Sequence, residues 1–334
     1  MNSRFKYKLD LSSNKFLCPS CGKKRFVRYI DTTNNQFLEG DFGRCDREVD
    51  CGYFRKPKDK LKIRTYLQKF KQSNKIYLDT DTYMNFHVNK YGVFSQSDFG
   101  RYLFNTAYNY FESTNKKTQY IFHELGLTYN KYRLGIFGDY TLFPMIDSKK
   151  RLHYVQAKVF DFKGHSIHKH TTSFAKMINV EPDGYADQDY KIGSLFGEHL
   201  LNKTKQSKRD FIIVVVEAPK TALLLDLIFN LLSKNFHDQH FQQPYIFLST
   251  MSLGLFNERL LQPLRGLKVL AIPDFDDGSI AFAKWLNIEL KLNQKGFNIR
   301  IKSLEGKKVK NHNWDIADFL TYDAKFKLEK FLDL

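Results

Sequence analysis

The sequence predicts an α+β multidomain protein. A small N-terminal β-ribbon organised by cysteines comes first, then a middle region of helices and antiparallel strands, then a C-terminal α/β domain with a mainly parallel sheet. Three observations carry this reading. All four cysteines fall within the first 51 of 334 residues. Short strand-like runs joined by polar turns occupy residues 136–175. From residue 211, continuous apolar runs alternate with helical patterns, as in a parallel sheet covered by helices.

The chain divides accordingly into 1–54, 55–135, 136–210 and 211–334. Residues 55–75 carry nine Lys or Arg and one Asp, which reads as a basic linker or helix, either solvated or in contact with phosphate. Residues 76–135 show apolar residues at three- and four-residue spacing, as in DFGRYLFNTAYNYF, and are expected to be mainly helical. LFPMID, LHYVQAKVFDF and HSIHKHTTS read as strands, with SKKR at 148–151 as a basic hairpin tip and Gly164 in a second turn.

In the C-terminal part, FIIVVVE is a buried strand, and Pro219 opens the helix that follows. YIFLS, KVLAI and NIRIKSL are three more strands. FNERLLQPL, SIAFAKWLNIELKLNQK and WDIADFL are helices, the second stopped by Gly296.

The balance of 53 Lys and Arg against 36 Asp and Glu gives a net charge of +17 and an isoelectric point near 9.5. A polyanionic partner is the first account of such a surplus, and nucleic acid is the commonest polyanion. A simple compositional bias is the plainer account. No eighteen-residue apolar run occurs, so no membrane span or membrane partner is expected. MNSRFKYKLDLSSNK lacks the apolar centre of a secretory signal, so a cytoplasmic location is expected.

Cys18 and Cys21 in CPSCG form a knuckle, with Gly22 permitting the tight turn. Cys45 and Cys51 in CDREVDC supply the second pair. Four thiolates complete a closed tetrahedral site, which predicts structural Zn2+ rather than catalysis. RFVRYID and QFLEGDFGR are the candidate strands between the pairs. Lys23, Lys24, Arg25 and Arg28 are candidate nucleic-acid contacts of this module. Lys149, Lys150, Arg151 and Lys158 are the corresponding candidates in the strand-rich region.

Glu217 ends the first strand of the α/β part, and Asp274 and Asp276 follow the third. Ligands of such sheets bind at the carboxyl ends of strands. Carboxylates converging there repel one another and call for a cation, and hard oxygen donors suit Mg2+ or Mn2+. Such an ion neutralises charge on a transferring phosphoryl group. Glu217 could instead act as a general base or acid. Lys220 is placed to contact phosphate, and Asp277 is a spare ligand. The plainer reading is that residues 274–277 cap a helix. Asp315 and Asp318 either join the site or only cap their own helix. His165, His168 and His170 are more simply a polar strand face than a metal site, and His153 lies in the same region.

VVVEAPKTALLL followed by AIPDFDDGSIAFAKW resembles the signature of TOPRIM domains, which occur in bacterial primases, topoisomerases and some nucleases. FPMIDSKKRLHYVQAKVFDFKG resembles the strand segment that precedes TOPRIM in bacterial primases. CPSCGKKRFVRYID, FGRCDREVDCGY, SLFGEHLL and VEAPKTA resemble an uncharacterised zinc-ribbon-plus-TOPRIM family of mobile elements and phages. The resemblance implies zinc at Cys18, Cys21, Cys45 and Cys51, and catalytic acids at Glu217, Asp274 and Asp276. Ala218 and Thr221 depart from the primase pattern, which has Gly and Asp there.

The resemblance further implies a primase-like nucleotidyltransferase acting in DNA replication. Its partners would be single-stranded DNA and nucleotides, with a helicase or other replication protein alongside. A metal-dependent nuclease and a catalytically silent nucleic-acid-binding accessory protein are the alternatives. A topoisomerase is disfavoured, because the length leaves little room for strand-passage gates.

Overall fold

A computed structural model of the chain describes residues 6–38, 40–46, 51, 53–57, 76–88, 90–111, 118–167, 171–183, 185, 193–207, 210–235, 244–275, 280–304, 314–323 and 326–332. The chain packs as two compact units, Met1–Lys75 and Ile76–Leu334.

The first unit is a small antiparallel sheet of β1 (Tyr7–Leu9), β2 (Phe16–Leu17), β3 (Lys24–Asp31), β4 (Gly43–Cys45) and β5 (Phe54–Arg55). Its order is β1–β3–β4–β5, with β2 paired on β3. The core is small: Cys18, Phe26 and Cys45 are buried, with Phe16, Cys21, Cys51 and Tyr53 packed around them, and Val27 and Ile30 are buried as well. So few apolar groups leave a unit of this size in need of a staple. Gly43 is fixed by contact, since a Cβ there would lie 2.2 Å from the carbonyl oxygen of Val27 and 2.4 Å from the Phe26 ring. The basic run at 58–75, expected as linker or helix, lies outside the described residues.

The second unit begins with helices, as the 3.6-residue periodicity requires: α1 (Thr80–His87), α2 (Tyr91–Gln96), α3 (Asp98–Tyr110) and α4 (Thr118–Lys131). Asp79 caps α1 by accepting from the N–H groups of Asp81 and Thr82, and Ser97 caps α3 through Gly100. An antiparallel sheet follows, β6 (Gly135–Phe137), β7 (Tyr140–Ile146), β8 (Leu152–Lys158) and β9 (Thr172–Ser173), in sequence order. The β7–β8 hairpin turns through residues 147–151, where SKKR was expected. Asp147 fixes this tip by accepting from the N–H groups of Lys149 and Arg151.

Of the expected strand HSIHKHTTS, the described residues show β9 and an isolated bridge from Ser166 to Phe160. The Asp161 carboxylate accepts from the N–H groups of Lys163 and His165 and closes a turn there. His168 and His170 lie outside the described residues.

The second sheet is parallel, in the order β11 (Tyr245–Ser249), β10 (Ile212–Val216), β12 (Lys268–Ile272), β13 (Asn298–Ile301). Val216 sits beside Ser249 on one side and Ile272 on the other. The apolar run of β10 is central and buried, whereas β13 alternates buried and exposed residues as an edge does. Helices α5 (Pro219–Asn235), α6 (Ile280–Asn293) and α7 (Ile316–Tyr322) accompany it.

Two ion pairs join α4 to α5, Lys131 with Asp226 and Lys234 with Glu124, and the acids are 1 % exposed. Near the chain's end, Tyr102 Oη lies 3.0 Å from Thr321 Oγ1, and the Leu328 N–H donates to Tyr110 Oη at 2.8 Å. The last helical segments are thereby clasped onto α3.

Candidate functional site

The cysteine site is built by two turns. Gly22, at φ +66°, lets the knuckle reverse, and its N–H donates to the carbonyl of Cys18. Cys45 ends β4, and its N–H donates to the carbonyl of Tyr53 at 2.8 Å, drawing Cys51 back toward the knuckle. The four Sγ atoms lie within 4.8 Å of one another. Cys18 and Cys51 are 3.7 Å apart, and Cys21 and Cys45 are 3.9 Å apart. A tetrahedron of Zn–S bonds about 2.3 Å long requires sulfurs roughly 3.8 Å apart. Donor set and spacing therefore suit structural zinc. The Tyr53 amide, donating to Cys51, is the first cause that draws that thiol down to about 7, toward the thiolate a metal needs.

A second cluster stands at the carboxyl edge of the parallel sheet. Glu217 follows β10 directly, and Asp274 follows β12 by one residue beyond Pro273. Adjacent parallel strands in this register place both acids at the same edge. Ser249 Oγ donates to the Glu217 carbonyl at 2.6 Å, and the Leu253 amide donates to its carboxylate.

Burial, and then the charge of Asp315, push Glu217 above the ordinary carboxylate range against that amide. Asp274 is pushed well above it by burial and by the charges of Asp315 and Glu217. Asp276 and Asp277 lie outside the described residues. Among the described residues, the cysteines are the one group of three or more potential ligands within 4.8 Å of one another. The acids here are near neighbours that do not reach that spacing.

Asp315 and Asp318 cap their own helix, as one of the two expectations for them had it. They form a reciprocal capping box at the start of α7, each carboxylate accepting the other's N–H at 2.9 Å. They also belong to the cluster. Lys220 Nζ lies 3.4 Å from Asp315 and 3.8 Å from Asp318. Thr221 Oγ1 donates to Asp315 at 2.8 Å. Burial opposes the charge of Asp315, but Lys220 and Thr221 outweigh it and hold its carboxyl low. Asp318 is pushed up to about 6 by burial and then by Asp315.

The expected basic contacts separate into three groups. Lys23, Lys24, Arg25, Lys149 and Lys150 are exposed. Arg28 and Arg151 depart from the expectation of free surface contacts. The Arg28 guanidinium donates to the carbonyls of Leu38 and Gly40 and lies 5.2 Å from the Phe16 ring and 5.5 Å from that of Phe37. Arg151 pairs with Asp147 at 2.7 Å and covers the Tyr77 ring. Lys158 belongs to the acid cluster. Burial, then repulsion from Lys220, draws its ammonium below its ordinary value, with Glu217 opposing. Its place at the end of β8, whose residues alternate buried and half-buried, was the available signal.

Of the histidines, His153 is buried and bonded to Asp147 at 2.9 Å, and His165 faces Asp161 at 3.3 Å. Both have structural partners.

These features define a protein with a zinc ribbon and a mixed α/β unit in which acids line the carboxyl edge of a parallel sheet. The zinc beta-ribbon finger family matches residues 5–66. The chain belongs to the family described as a domain of unknown function (DUF6371), whose model matches residues 97–275. No curated protein matches the chain. Among solved structures, it is similar to the crystal structure of the Aquifex aeolicus primase (zinc binding and RNA polymerase domains). The identity is 12% over 98% of this chain and 80% of that one, with a TM-score of 0.36. Among the described residues, no helix is long and apolar enough to cross a membrane.

Proposed function

We propose that this chain is a primase-like nucleotidyltransferase of a mobile element or phage. It binds single-stranded DNA and joins nucleotides at the carboxyl edge of the parallel sheet. The observation that carries the reading is the placement of Glu217 and Asp274 after adjacent strands β10 and β12, with Lys158 and Lys220 beside them. Like-charged, half-buried carboxylates with hard oxygen donors fit Mg2+ or Mn2+.

Glu217 and Asp274 would hold that ion, with Asp276 as the expected third ligand. When bound, it supplies positive charge to a transferring phosphoryl group. Lys158 adds a fixed cation on the face contributed by β8. Lys23, Lys24, Arg25, Lys149 and Lys150 offer phosphate contacts.

Priming on single-stranded DNA with ribo- and deoxynucleotides supplied together tests the reading. Glu217→Gln and Asp274→Asn should abolish labelled primer while DNA binding survives. Undiminished synthesis in both variants would sink the assignment, and shortened DNA in place of primer would mean a nuclease. One observation favours a catalytically silent nucleic-acid-binding protein instead: Lys220 already neutralises part of the acid cluster. In that case neither primer nor cleavage product forms, and DNA binding is unaffected by Mg2+.

A further inference from the structure

The arrangement around Lys220 deepens that reading and rests on it. Two-metal sites of phosphoryl transfer hold their ions about 3.5–4 Å apart and need carboxylates for both. Here the acids fall into two sets. Glu217 and Asp274 stand at the strand ends. Asp315 and Asp318 face Lys220 at the start of α5.

Each oxygen of the second set meets a donor of the chain. Asp315 Oδ2 receives Thr221 Oγ1 at 2.8 Å and faces Lys220 Nζ at 3.4 Å. Asp315 Oδ1 receives the Asp318 N–H at 2.9 Å. Asp318 Oδ2 receives the Asp315 N–H at 2.9 Å, and Asp318 Oδ1 faces Lys220 at 3.8 Å. Lys220 itself is enclosed, its side chain 13% exposed and its ammonium 5.9 Å from the Tyr102 ring.

An ion entering between Asp315 and Asp318 would have to displace a buried ammonium. Removing that ammonium alone would leave two buried carboxylates uncompensated. We propose that Lys220 is a built-in cation in the place of a second divalent ion, so that the site binds one divalent ion, at Glu217 and Asp274. Lys220 is then a positioning residue that holds α7 against the N-terminus of α5, rather than a free phosphate contact.

The test is titration of the zinc-loaded full chain with Mn2+, with free Mn2+ counted by its paramagnetic resonance signal. The native chain and Lys220→Arg, which keeps the charge, should each bind one Mn2+. Lys220→Gln should bind two, because Asp315 and Asp318 lose their cation. The double variant Lys220→Gln/Asp315→Asn should return to one.

Two ions in the native chain would overturn the inference and leave the proposed function standing. None in the native chain would overturn both. A single ion in Lys220→Gln, with Asp274→Asn abolishing it, would also overturn the inference. Should Lys220→Gln fail to fold, the native count decides: one ion supports the inference and two refute it.

Discussion

The backbone N–H of Phe275 donates to the carbonyl of Trp314 at 2.9 Å. Phe275 follows Asp274 and Trp314 precedes Asp315, so a single bond ties together the two turns that carry these acids. The bond keeps Asp315 close enough to raise Asp274 electrostatically. The acid cluster thus rests on backbone geometry as much as on side-chain pairing.

Thr221 tests the side-chain part. Thr221→Val keeps the shape but removes the donor to Asp315, leaving a buried carboxylate short of one hydrogen bond. Stability should fall by about 1–3 kcal/mol, read from urea denaturation. Thr221→Ser should recover most of that loss.

The zinc ribbon has few buried core residues, and the second unit has an extensive core of its own. A strong chelator should therefore abolish the dispersed amide signals of the ribbon while the second unit keeps its thermal transition. Cys21→Ser should behave as the chelated protein does, with zinc content measured by atomic absorption.

Gly43→Ala should weaken the ribbon without touching a ligand. The added methyl would press on the backbone carbonyl of Val27, an atom with little freedom to retreat. Zinc release to a colorimetric chelator should speed up at least several-fold. An unchanged rate would mean that β4 shifts to make room.

His199 sets a pH dependence for the second unit. Its Nε2 donates to the Lys131 carbonyl at 3.0 Å, and Nδ1 is buried. Burial is the first cause that draws its pKa down to about 4. The unfolded chain takes up this proton near pH ~6.5, before the folded chain does. The stability contributed by the neutral ring is full above that pH. It is lost as pH falls toward 4, by about 3 kcal/mol at most. His199→Gln should flatten that slope in urea midpoints measured between pH 7 and pH 5.

Much of this was legible in the chain. The four strands of the parallel sheet, Pro219 at a helix start and the cysteine pairing follow from local pattern, because β-branched runs and turn residues act over a few positions. Contacts between distant segments were not legible. Thr221 and Asp315 are 94 positions apart. The pattern WDIADFL announces only a capped helix, and nothing local says that its cap also faces Lys220. Lys158 was expected as a nucleic-acid contact, and nothing local in the sequence says that its ammonium is buried near Lys220 and Glu217. Arg28 was expected at the surface, and the carbonyls that hold it, those of Leu38 and Gly40, lie in QFLEGDFGR, a segment that reads as a strand but gives β4 only from Gly43.

The clasp of Tyr102 on Thr321 spans 219 positions, and that of Leu328 on Tyr110 spans 218. Joining ends that far apart costs roughly 5 kcal/mol of loop entropy for a flexible chain. Contacts so distant in sequence also slow folding. The helix so clasped, α7, brings Asp315 and Asp318 to Lys220, so the charge balance at the sheet edge depends on residues more than ninety positions apart in the chain.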